Sequence, residues 1–140
     1  MDAAEKQRGK KPEDARRLVF VALDDVRSAH NVGSIFRTAD GAGAAGVYLI
    51  GTTPAPVDRF GRSQPDIAKT ALGAEQSMLW EYFETTEEFL KEMREKGVQI
   101  IVVEQDERAV DYKSPDAVGV GACVLVFGNE VGGVSRFARD

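Results

Sequence analysis

The chain has 140 residues, 43% hydrophobic and 29% charged, with 18 Lys+Arg against 23 Asp+Glu and a formal net charge of -5. That length suits one domain with a sizeable core, and the acidic balance excludes a protein coated in basic surface. The single cysteine, Cys123, excludes an internal disulfide and suits a reducing cytoplasm.

Residues 1–17 hold six Lys/Arg and four Asp/Glu, and a flexible charged segment is expected there, ahead of a domain over 18–140. These polar residues lack the apolar core of a secretion signal, and no apolar run reaches membrane-spanning length. Leu18–Leu23 reads as a buried strand, and Asn31 to about Ala42 as a helix with Val32, Ile35, Phe36 and Ala39 on one face. Arg37 falls near the middle of the opposite face, with Gly33, Ser34 and Gly41 as its helical neighbours. Small residues around an arginine leave room for a ligand; the alternative is a solvated arginine on an exposed face. His30, the only histidine, is read as a structural residue just ahead of the helix rather than a general base.

Gly41, Gly43 and Gly46 close the helix and lead into a strand at Val47–Ile50, completing a parallel strand–helix–strand unit with a right-handed crossover. Residues 52–66 form a Pro- and Gly-punctuated loop carrying Arg59, Phe60 and Arg62, a basic and aromatic mixture able to hold a nucleic acid strand. A short helix is expected from Ile67 to about Gln76 and a short strand at Trp80–Phe83. Thr85-Thr86-Glu87-Glu88 fits a capping box, opening a helix whose buried stripe is Phe89, Leu90 and Met93 and which ends at Gly97. Val98–Val103 follows as a fully buried strand, with the charged stretch Glu104–Arg108 at its carboxyl end, where open α/β sheets place ligands. Ala122–Phe127 is the next buried strand, and Cys123 within it reads as a core residue rather than a reactive thiol.

A glycine-rich turn, Gly128-Asn129-Glu130-Val131-Gly132-Gly133, follows immediately. Glu130 would repel a pyrophosphate, and neither dinucleotide nor P-loop spacing is present, so the turn suits a neutral adenosine or a cationic ligand. A turn whose asparagine and glutamate bond only to nearby backbone is the alternative. The fold class expected is α/β, a mostly parallel sheet with helices on both faces, and no metal is called for.

Asn31-Val32-Gly33-Ser34-Ile35-Phe36-Arg37-Thr38-Ala39 resembles the first motif of the SpoU-type RNA 2′-O-ribose methyltransferases, members of the trefoil-knotted SPOUT class. Val126-Phe127-Gly128-Asn129-Glu130-Val131-Gly132-Gly133-Val134-Ser135 resembles their second motif, and Lys69–Glu75 with Trp80–Phe83 looks like a small single-domain subgroup. The resemblance implies S-adenosylmethionine as cofactor, a tRNA or rRNA ribose as substrate, and a homodimer with a shared site. It points to Arg37 as the catalytic residue, with Asn31 and Glu130 holding one another. The cofactor would be lined by Val103, Glu104, Gly128, Asn129 and Glu130, and RNA held by Arg27, Arg37, Arg59 and Arg62. The family continues past the second motif with a strand, a Ser-Leu-Asn motif and a helix that make the knot, whereas this sequence stops at Asp140. On that comparison a C-terminally truncated, inactive fragment lacking the knot-forming segment is expected. A catalytically inactive RNA-binding or dimerisation module, or a small-molecule enzyme on an unknotted α/β fold, are the rival readings.

Overall fold

The computed structural model describes residues 18–103 and 121–128. Five strands form one parallel sheet: β1 (Val19–Asp24), β2 (Gly46–Ile50), β3 (Trp80–Phe83), β4 (Gln99–Val103) and β5 (Cys123–Gly128), in the order β3-β2-β1-β5-β4. The steps from β1 to β3 run one way across the sheet, and the step from β3 to β4 runs back. Right-handed crossovers therefore place the connecting helices on opposite faces. Helices α1 (Ala29–Gly41), α2 (Pro65–Ala71) and α3 (Ala74–Ser77) cover one face, and α4 (Thr86–Glu95) covers the other.

Alternating residues of the same strands feed the two cores. Val21, Leu23, Val47 and Leu49 meet Val32, Phe36, Ala39 and Ile67 on the first face. Ala22, Tyr48, Ile50, Val124 and Val126 meet Phe89, Leu90 and Met93 on the second. Both long helices are punctuated in the same way. The Ser28 hydroxyl accepts from the Asn31 amide (3.1 Å), and the Thr85 hydroxyl accepts from the Glu88 amide (3.1 Å). At the other ends, left-handed Gly43 and Gly97 let Ala44 and Val98 donate back to Ala39 and Met93, both at 2.9 Å.

Several expectations change. The first helix starts two residues early, so His30 lies inside its first turn, exposed, and not ahead of it. The helix expected over 67–76 is two helices, broken where Leu72 (φ 53°) and Gly73 (φ 94°) take left-handed backbone. Among the described residues, the strand expected to be fully buried at 98–103 is an outer strand paired only with β5; Gln99 and Val103 are exposed and the residues between half-buried. Cys123 is likewise half-buried. Among the described residues, no helix is long and apolar enough to cross a membrane. The charged segment expected over 1–17 lies outside the described residues.

Candidate functional site

The carboxyl ends of β4 and β5 carry Val103 and Gly128, two of the residues that the sequence singled out. β1 and β5 are neighbours, Asp24 pairing with Gly128, and Val103 pairs with Phe127 on the far side of β5. A web of short polar contacts stiffens this rim. Asp25 takes a left-handed backbone (φ 56°), and its carboxylate accepts from the Thr52 amide (2.9 Å) and hydroxyl (3.0 Å). A side chain on Gly51 would collide with that carboxylate, so glycine is required beside it. The buried Thr53 hydroxyl lies 2.9 Å from the Leu23 and Ile50 carbonyls and accepts from the Val26 amide (3.0 Å). Asp24, also buried, accepts from the Thr86 hydroxyl at 3.1 Å. The exit of β1 towards α1 is thereby fixed to the end of β2 and the start of α4.

From that fixed exit, α1 carries Asn31 in its first turn and Arg37 about two turns in. Val32, Phe36 and Ala39 are buried and Arg37 is exposed, as the helical period requires. Among the described residues Arg37 has no ion pair. Its expected glycine surround is different in kind from the one the sequence suggested. Gly33 is buried, and a Cβ there would overlap the Thr70 hydroxyl and the Ile67 carbonyl of α2, with the Ala71 amide nitrogen at 3.1 Å. Gly33 therefore serves helix–helix approach and not ligand access. Thr70 exploits that approach by donating its hydroxyl to the His30 carbonyl at 2.8 Å. Gly41, by contrast, faces open space, and exposed Ser34 bonds back to the His30 carbonyl.

The four arginines sit on three segments: Arg27 in the β1–α1 turn, Arg37 on α1, and Arg59 and Arg62 in the β2–α2 loop, all exposed. Among the described residues the one direct coupling within this set is through Phe60, whose ring has the Arg59 and Arg62 guanidinium carbons 4.9 and 5.1 Å from its centroid. Glu104, Asn129 and Glu130 lie outside the described residues, and so does the expected pairing of Asn31 with Glu130.

Val103 presents an exposed apolar side chain at one strand end, and Gly128, without a side chain, ends the strand beside it. Ser28, Asp25, Thr53 and Thr70 were not singled out from the sequence. Ser28 had a usable signal, a capping residue three positions before Asn31; the others depend on partners far away in the chain.

Comparison with known proteins identifies the relatives of this chain. A sequence model described as the SpoU rRNA Methylase family matches residues 18–140. The 23S rRNA (guanosine-2′-O-)-methyltransferase RlmB of Ralstonia nicotianae is 32% identical over 126 residues, covering 87% of this chain and 45% of its own length. Among solved structures, an AdoMet-bound rRNA methyltransferase from Sinorhizobium meliloti is 34% identical with a TM-score of 0.69, over 88% of this chain and 44% of that one. The SpoU methyltransferase AviRb from Streptomyces viridochromogenes superposes with a TM-score of 0.63 at 25% identity, over 87% of this chain and 46% of its own. The chain thus spans about half the length of these relatives. With its parallel sheet shared by the solved relatives and all of residues 18–140 within the match, the chain belongs to the SpoU rRNA methylase family.

Proposed function

We propose that this chain carries the Arg37-bearing part of an S-adenosylmethionine-dependent methyltransferase acting on a ribose 2′-hydroxyl of rRNA or tRNA. The observation that carries the reading is Arg37 itself: an exposed arginine without an ion pair among the described residues, within the stretch matched to the family. The names of the relatives, which include a guanosine-2′-O-methyltransferase and an AdoMet-bound enzyme, support the substrate and cofactor.

The cofactor supplies a methyl group activated on a sulfonium. A ribose hydroxyl is a weak acid, so its oxygen needs stabilisation as it develops negative charge. Arg37 remains protonated and is unsuited to act as a base. Its guanidinium orients the ribose and an adjoining phosphate and stabilises the developing alkoxide. Val103 and Gly128 line the adenosine side, with Glu104, Asn129 and Glu130 completing it, and Asn31 steadies the turn through Glu130. Arg27, Arg59 and Arg62 extend the cationic footprint for RNA. The same reading takes the protein to be a cytoplasmic homodimer. Transfer of labelled methyl from S-adenosylmethionine to ribose, measured with the sequence and any flanking residues its gene encodes, tests the proposal. Label recovered only on bases, or on no RNA at all, rejects it.

A further inference from the structure

The β2–α2 loop contains a small built feature that the family match does not explain. Residues 57–63 form a hairpin: Val57 bridges Ser63, the Asp58 amide donates to the Arg62 carbonyl (2.9 Å), and the Gly61 amide donates to the Asp58 carbonyl (3.0 Å). The Asp58 carboxylate organises the tip by accepting from the Phe60 and Arg62 amides and from Arg62 Nε, each at 2.9 Å. Those bonds hold its carboxyl below the usual aspartate range, the Arg62 amide contributing most. The hairpin holds up Phe60, which is 67% exposed. Its ring has the Arg59 and Arg62 guanidinium carbons 4.9 and 5.1 Å from its centroid, in a chain whose net charge is -5. Asp58 offsets the charge of Arg62, and Arg59 forms no ion pair among the described residues.

We propose that this hairpin is a stacking platform for single-stranded RNA, Phe60 taking the face of one unpaired base and Arg59 a neighbouring phosphate. An aromatic face flanked by cations matches a nucleotide in both of its parts, the flat base and the anionic backbone. The match is sequence-tolerant, because every base has a π-face. A protein partner would meet the same ring without needing the second cation. The inference rests on the RNA-methyltransferase reading for its choice of RNA as the natural ligand. Arg62, fixed by Asp58, orients the ring and Arg59 supplies the phosphate contact.

The test is equilibrium binding of a labelled oligouridine of about 12 nucleotides, within the usual range of site sizes, across a salt series. Phe60→Leu keeps an apolar group but removes the ring, and it should weaken binding about fivefold to a hundredfold with an unchanged salt slope. Phe60→Trp should restore affinity, and Arg59→Ala should reduce the salt slope by about 0.7. Thermal melts should show all three variants folded like the parent, since none of these side chains is buried. Equal affinities for the parent and Phe60→Leu, or loss that tryptophan does not rescue, overturn the platform. Methyl transfer to rRNA whose KM ignores Phe60→Leu would sink the platform while leaving the methyltransferase reading standing. Phe60-dependent oligouridine binding without any methyl transfer would do the reverse.

Discussion

Replacing Gly33 by alanine should destabilise the protein even though alanine is the better helix former. In an open helix the exchange gains about 1 kcal/mol. At Gly33 the added methyl would overlap the Thr70 hydroxyl and the Ile67 carbonyl, so α1 and α2 must move apart. Overpacking of this kind costs ~1–3 kcal/mol. Separation also strains the 2.8 Å bond from Thr70 to the His30 carbonyl, a net contribution of about 0.5–1.5 kcal/mol. The balance is a loss of roughly 1–3 kcal/mol, or a fall in Tm of about 4 °C for each kcal/mol at this chain length. Gly41→Ala supplies the contrast on the same helix: nothing among the described residues lies within 4 Å of its added Cβ. That variant should be unchanged or more stable by up to about 1 kcal/mol. Thermal and urea unfolding of the two variants beside the parent decide the matter. If Gly33→Ala proved as stable as Gly41→Ala, the close approach of α1 to α2 would be wrong.

Other perturbations test other parts of the structure. Thr53→Val keeps the shape but leaves the buried Val26 amide without its acceptor, so a loss of about 1–3 kcal/mol is expected in urea unfolding. Gly128→Val places a branched side chain at the strand end proposed to face the adenosine, and calorimetric titration should show weakened S-adenosylmethionine affinity, with overpacking of ~1–3 kcal/mol setting the scale. The Asp58 carboxyl is held below its usual 3.8, first by the Arg62 amide. Because its folded pKa is depressed, its support of the hairpin is fully present above the unfolded value and is lost as pH falls through the folded one. Amide NMR signals of Phe60 and Arg62 should therefore stay constant from neutral pH down to the ordinary aspartate range and shift only below it.

Much of the architecture was legible because strong local signals coincided with tertiary need. Apolar runs announced β1, β2 and β5 to within a residue, and the Thr85 cap with the Phe89, Leu90 and Met93 stripe located α4. The errors have a common cause. The run at 98–103 signals apolar surroundings but cannot say that, among the described residues, one strand flanks it, so burial was overstated. Leu72 in left-handed backbone is unfavourable for a leucine, and no local pattern marks the break it makes between α2 and α3. Gly33 looked like space for a ligand because helical spacing reports which residues share a face, not what packs against it. Within the site, the exposure of Arg37 followed from periodicity alone. The anchoring of its helix did not, because Asp25–Thr52 and Thr70–His30 join residues 27 and 40 positions apart.

The central claim is that Arg37 serves ribose methylation and is not a structural residue. The most direct measurement compares Arg37→Ala with the parent for transfer of labelled methyl to rRNA at saturating S-adenosylmethionine and RNA, in the intact product of the gene. Loss of one preorganised charge-stabilising donor typically costs ~10²–10³ in kcat, so turnover should fall by at least that factor. Its melting temperature and cofactor affinity should match the parent, because the side chain is exposed and packs into neither core. Near-parental turnover by Arg37→Ala would contradict the account.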